Sequence, residues 1–237
     1  MFTGLNVTRD LDVSLVALSD PTLHLDADLR LAWFAGSARL RLQAILPTIL
    51  ARLAQALEAT QIIFFGGSGG GFASLHYAAA FPDSLSVVWN PQTDLRRYNP
   101  SHVEEYGRAA FGWTNLAEAK ARLPEEVSSS LHQVYGPRRD NLILYLQNNS
   151  DGHVANHMQP FLSGLGVDVS RLGVGQVVST SATPTIWLHL ASWGEGHASP
   201  SADFLSDVLR RFVELPDWRS AFSSDRLDEL IGPRPSA

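Results

Sequence analysis

The sequence predicts an α/β fold, a mostly parallel, doubly wound sheet of about five or more strands with helices on both faces and a helical insertion. Three observations point there. Short, largely apolar runs recur along the chain, each gives way to a polar or turn-forming stretch that contains Gly, Pro, Asn or Asp, and stretches with helical spacing lie between them. Strands apolar on both sides are buried on both faces, as in a parallel sheet covered by crossover helices.

In chain order, Val13-Ser14-Leu15-Val16-Ala17-Leu18 reads as a strand stopped by Ser19-Asp20-Pro21, and Leu29 to Phe34 as a weaker second one. Arg39 to Ala59 carries Leu40, Ile45, Ile49, Leu50, Leu53 and Leu57 near helical spacing, with Pro47 as an irregularity. Gln61 to Phe65 is a β-branched and aromatic strand that runs into Gly66-Gly67-Ser68-Gly69-Gly70-Gly71, and Phe72 to Phe81 is a small-residue helix stopped by Pro82. Leu85 to Trp89, Asn141 to Leu146 and Thr185 to Leu190 repeat the strand pattern. Residues 96–140 are longer than the dozen or so that a crossover needs, so they read as a helical cap inserted in a single domain. Pro200 to Leu215 closes the domain as an amphipathic helix with Phe204, Val208, Leu209 and Val213 inward, and 218–237 reads as a loose tail.

Composition narrows the function classes. The 237 residues carry a formal charge of −6, with Lys120 the single lysine among 18 basic residues and no basic cluster, which disfavours a phosphate-tracking nucleic-acid binder. The absence of cysteine removes thiol nucleophiles, thiolate zinc sites and iron–sulfur clusters, leaving oxygen and nitrogen nucleophiles. No run approaches the roughly 18 apolar residues of a membrane span, and residues 1–20 lack a secretory leader pattern, so the expectation is a cytoplasmic protein.

The chemistry concentrates at Gly66-Gly67-Ser68-Gly69-Gly70, a G-x-S-x-G pattern between an expected strand and an expected helix. In such a turn the serine sits on a strained backbone, and glycine two positions either side, at 66 and 70, avoids collisions of strand and helix. Glycine at 67 and 69 as well suggests a less rigid turn. The Gly69 N–H, at the start of the helix, would face a developing oxyanion. A phosphate loop would need Lys after its glycines and a dinucleotide site an acid where Asn90 stands, so no cofactor is expected. A serine needs a histidine base oriented by a carboxylate. Asp151 follows the 141–146 strand, and His197 follows the 185–190 strand in Gly194-Glu195-Gly196-His197, both at the sheet edge where Ser68 lies.

On Ser68, Asp151 and His197 in that chain order, the chain resembles the α/β-hydrolase superfamily of serine esterases, lipases and acyltransferases over roughly residues 10–215. The resemblance implies Ser68 as nucleophile, His197 as base, Asp151 as its orienting acid, and a second oxyanion donor from an earlier loop: on strand count the loop that begins at Ser19-Asp20, with Gly36 in Ala35-Gly36-Ser37 as the alternative donor. The segment Gln147-Asn148 to Asp151 and His153 also resembles bacterial hydrolase-like proteins associated with surface glycans. The implied activity is hydrolysis of a carboxylic ester, small or glycan-linked, through an acyl-enzyme on Ser68. Acyl transfer to a sugar or alcohol, and a catalytically silent binding module, are the alternatives. Against the family, the opening strands read as missing or reduced.

Three further groups compete for roles. Asp94 is an alternative acid just after the strand that ends at Trp89. Glu195 is so close to His197 that it reads as solvent-facing. His153 and His157 share a helix face and with Asp151 could hold a metal, but the Glu of H-E-x-x-H is missing, so they read as solvated and no metal is expected.

Overall fold

A computed structural model describes residues 3–135, 140–169, 177–179, 185–219 and 230–231. Its elements are α1 (Thr3–Val7), α2 (Leu42–Ala56), β1 (Ile63–Gly67), α3 (Ser68–Ala78), β2 (Leu85–Trp89), α4 (Pro100–Phe111), α5 (Leu116–Glu126), α6 (Leu131–Tyr135), β3 (Leu142–Asn148), α7 (Gln159–Gly164), β4 (Val177–Ser179), β5 (Thr185–Ala191) and α8 (Ala202–Val213). The five strands form one sheet in the order β1-β2-β3-β5-β4, with β1, β2, β3 and β5 parallel and only the short β4 antiparallel, on β5.

Every residue of β2 and β3 is buried, as the largely apolar runs require, and alternation sends successive side chains to opposite faces. Val88, Ile143, Tyr145, Ile186 and Leu188 pack on one face with Phe72 and Leu75 of α3 and with Tyr106, Leu123 and Leu131. Leu85, Val87, Leu142, Leu144, Leu146 and Trp187 pack on the other with Leu205, Val208, Leu209 and Phe212 of α8. The sheet is therefore covered on both sides. The described part of 96–140 contains α4, α5 and α6, whose apolar faces join the first of these cores.

Several expectations are corrected. Val13 to Leu18 forms no strand: Val13, Leu15, Val16 and Leu18 are exposed, and among the described residues no neighbouring strand supplies backbone partners. Leu29 to Phe34 is not a strand either. It ends in a turn with Ala35 N–H on Ala32 O, and Trp33 and Phe34 both take left-handed φ of 54° and 53°. Neither segment extends the sheet, so β1 is its edge among the described residues, and its side chains are only half-buried. α8 is turned slightly from its expected phase, burying Leu205 and Phe212 where Phe204 and Val213 were assigned. Of the expected loose tail, Trp218 and Ile231 are buried in the second core, and 220–229 and 232–237 lie outside the described residues. Among the described residues no helix is long and apolar enough to cross a membrane.

Candidate active site

β1, β3 and β5 run parallel, so the segments that follow them emerge at one edge of the sheet and carry Ser68, Asp151 and His197. Ser68 opens α3 with a left-handed φ of 54°, a strained conformation for a residue with a side chain. The glycines around it are crowded. A Cβ at Gly66 would meet Gly70 O at 2.5 Å and Ser74 Oγ at 2.8 Å, and one at Gly71 would meet Pro91 Cβ at 2.7 Å. A Cβ at Gly67 would strike the Trp89 indole, and one at Gly69 would strike Leu31. Gly70 faces open space. The collision relief expected at 66 and 70 thus falls at 66, 67, 69 and 71, and the extra glycines make a closely fitted turn, not a loose one.

Asp151 Oδ2 lies 2.6 Å from His197 Nδ1, so the acid and base of the sequence reading are in direct contact. Asp151 is buried, and His197 remains 43% exposed at its side chain. Burial works to raise the Asp151 carboxyl, but the His153 backbone N–H at 2.9 Å, the His197 ring and the charges of both histidines outweigh it and hold the group below its ordinary 3.8. An ionised Asp151 favours the proton on His197 Nδ1 and leaves Nε2 as the basic nitrogen. Among the described residues no hydrogen bond joins Ser68 to His197. Ser68 Oγ instead accepts from Gln92 Nε2 at 3.0 Å.

The other candidates separate clearly. Both oxygens of Asp94 are taken by Arg96, at 3.1 and 2.9 Å, and Asp94 Oδ1 also accepts the Arg96 N–H. Gly36, at φ 92°, makes a tight turn against Leu40 and Leu42, and its carbonyl accepts the Tyr106 hydroxyl; none of these contacts reaches Ser68. Glu195 is exposed. His153 and His157, expected in solvent, are buried at 7% and 1% exposure. His153 Nδ1 lies 3.1 Å from Asp151 Oδ2 and 3.0 Å from His197 Nδ1, and Tyr98 stacks on its ring. Among the described residues the group able to hold a metal is accordingly Asp151, His153 and His197, whose ligand atoms lie within 4.8 Å of one another, and not the helix face of His153 and His157.

His157 Nδ1 accepts the Thr93 N–H at 3.2 Å, so a proton there has no room, and burial with the neighbouring His153 pushes its pKa down from 6.5 to about 3. The folded value is depressed, so His157 stabilises the fold fully above 6.5 and loses that contribution as pH falls through about 3. Each unit in between costs up to about 1.4 kcal/mol. His157→Asn, which offers an oxygen to Thr93, is expected to flatten the fall of the thermal midpoint between pH 6.5 and 4. An unchanged slope would show that His157 is not the group responsible.

The sequence reading missed a set of amides at the strand ends. Asn90 Oδ1 accepts from Asn148 N at 2.8 Å and Gln147 Nε2 at 3.1 Å, while Asn90 Nδ2 donates to Ala198 O at 2.8 Å. Asn148 Nδ2 donates to Gly194 O and Gly196 O, and Asn148 Oδ1 accepts the Trp193 N–H. Together these clamp the loop that bears His197. The available signal was the polar residue at the end of each apolar run, Asn90 and Asn148. Asn148→Ala is expected to cost about 2–3 kcal/mol of stability by leaving several buried partners unpaired, measured by denaturant unfolding.

This sheet, with a strained serine after β1 and an Asp–His pair after β3 and β5, is an α/β-hydrolase-type fold. No known family model matches the sequence, and no curated protein sequence matches it. Among solved structures the chain is similar to the capsule O-acetyltransferase of Neisseria meningitidis serogroup A, at 13% identity and a TM-score of 0.51 over 81% of this chain and 69% of that one. It is also similar to a puromycin hydrolase S511A mutant, at 17% identity and a TM-score of 0.45, covering 86% of this chain but 26% of that chain. A third is the N-acyl homoserine lactonase AidH complexed with N-butanoyl homoserine, at 12% identity and a TM-score of 0.36 over 82% and 73%.

Proposed function

We propose that the protein is a serine hydrolase that cleaves a carboxylic ester through an acyl-enzyme on Ser68. The observation that carries the reading is the 2.6 Å Asp151–His197 contact at the sheet edge where Ser68 sits on a strained, left-handed backbone. His197 Nε2 takes the Ser68 proton as Oγ attacks the ester carbonyl, and returns it to the leaving alcohol as the C–O bond breaks. Water then repeats the sequence to release the acid. Asp151 holds His197 and stabilises its charged form. The Gly69 N–H, free at the start of α3, faces the oxyanion. The missing Ser68–His197 bond agrees with a resting enzyme whose catalytic hydrogen bonds tighten on substrate.

Acyl transfer to a sugar or alcohol uses the same groups, with the acceptor hydroxyl in place of water, and the similarity to a capsule O-acetyltransferase favours keeping it as the second reading. Under either reading 96–140 acts as a cap that governs what reaches the acyl-enzyme, and Tyr98, stacked on His153, brings that segment to the site. A fluorophosphonate probe should label the wild-type protein at one residue, mapped by mass spectrometry to Ser68. A folded protein that stays unlabelled would instead establish a silent binding module.

A further inference from the structure

The proposed reaction needs a second oxyanion donor beside Gly69, and the turn at Gly36 packs on Leu40 and Leu42 and bonds Tyr106. We infer that the side-chain amide of Gln92 is that donor, an inference that rests on the serine-hydrolase reading of Ser68.

The geometry points to Gln92 in three ways. Its backbone N–H donates to Ser68 O at 3.1 Å and its side-chain Nε2 to Ser68 Oγ at 3.0 Å, so one residue holds the nucleophile at both ends. The orientation of the amide is fixed by chemistry: Trp33 Nε1–H donates to Gln92 Oε1, and since an indole nitrogen can only donate, the NH2 must face Ser68. The amide oxygen also lies 3.6 Å from where a Gly69 Cβ would stand, on the side that Leu31 and Trp33 fill, so the Gln92 amide is held beside the Gly69 backbone. Trp33 reaches this position from a left-handed backbone stabilised by its neighbour, where Asp20 Oδ2 accepts the Phe34 N–H at 2.6 Å. Strain of that kind in an aromatic residue is found where the surroundings demand it.

The donor changes partner during the reaction. At rest the Gln92 N–H occupies a lone pair of Ser68 Oγ, leaving the hydroxyl proton for His197. When that oxygen attacks, a lone pair becomes the new C–O bond, the carbonyl π pair moves onto oxygen, and the proton passes to His197 Nε2. Oγ keeps two lone pairs, because the O–H pair replaces the one spent, but it now carries carbon in place of the proton and is a poorer acceptor for the buried Gln92 N–H. The oxyanion, one bond from the attacked carbon, is the stronger acceptor within reach, so its bond with Gln92 forms only as the tetrahedral intermediate forms. As the intermediate collapses, the electron pair returns to the carbonyl, the alcohol leaves with the His197 proton, and the amide is released.

The test is the turnover of p-nitrophenyl acetate by wild type, Gln92→Ala and Gln92→Glu, together with inhibition by a trifluoromethyl ketone that mimics the tetrahedral adduct. Gln92→Glu keeps the shape and the Trp33 bond but puts an acceptor where the donor stood, and it reads the same donor should Gln92→Ala not fold. The expected result is a loss of about 10²–10³-fold in kcat with KM little changed, matched by a similar loss of ketone affinity. Folded variants that keep wild-type kcat and ketone affinity overturn the role of Gln92 alone. A wild-type protein that neither turns over the ester nor reacts with the ketone overturns the hydrolase reading and this inference with it.

Discussion

Ser68→Ala is expected to abolish fluorophosphonate labelling and to lower ester turnover by about 10⁴-fold or more, leaving only what the oxyanion donors and substrate binding supply. The substitution is clean. Alanine keeps the Cβ at a φ of 54°, so the turn carries the same backbone strain as before, and the crowded glycines on either side are untouched. What disappears is Oγ, the acceptor of the Gln92 N–H. That orphaned donor costs about 1–3 kcal/mol of stability, well short of unfolding a domain with two apolar cores. Activity and folding therefore part company in this variant, read by probe labelling beside circular dichroism. Labelling that persists at the wild-type rate would place the nucleophile elsewhere.

Asp151→Asn is expected to lower kcat by about 10³–10⁴-fold while leaving the fold intact. An asparagine fits the same space and still offers an oxygen to the His153 N–H. With its NH2 turned toward His197 Nδ1, however, it forces that nitrogen to accept. The proton then sits on Nε2, the nitrogen that should take the Ser68 proton. Asp94→Asn is the contrast. Its carboxylate is committed to Arg96 and caps the turn at Leu95–Arg97, so the expected change is a modest loss of stability with activity retained. Steady-state kinetics on the two variants would reassign the acid if the ranking came out reversed.

How much of this was legible in the sequence depends on the range of the forces involved. β1, β2, β3 and β5 were readable because each is a short apolar run closed by a turn former, and the serine turn because glycine spacing is a local signal. Val13 to Leu18 carries the same apolar signal and yet forms no strand. A strand exists only if a neighbour supplies backbone partners, and no single segment encodes that. The contact between Asp151 and His197 could be anticipated from chain order. That His153 shares the same carboxylate oxygen, and that His157 is buried on Thr93, could not, because both depend on how helix and loop close over the sheet edge. Asn90, Gln92 and Asn148 were visible as polar residues near strand ends, but their duties are set by partners such as Ala198, Trp33 and Gly196, distant in sequence.

The left-handed residues near this edge also bear on what selection for stability would do to the molecule. Ser68, Trp33 and Phe34 all hold φ values that glycine adopts at no steric cost. Glycine would relieve that strain, but at Trp33 it would empty a fully buried indole from the core and at Ser68 it would orphan the Gln92 N–H, and each loss is at least as large as the strain relieved. A library screened only for heat resistance would therefore retain the indole and the hydroxyl, so stability and the proposed chemistry hold the same two side chains in place.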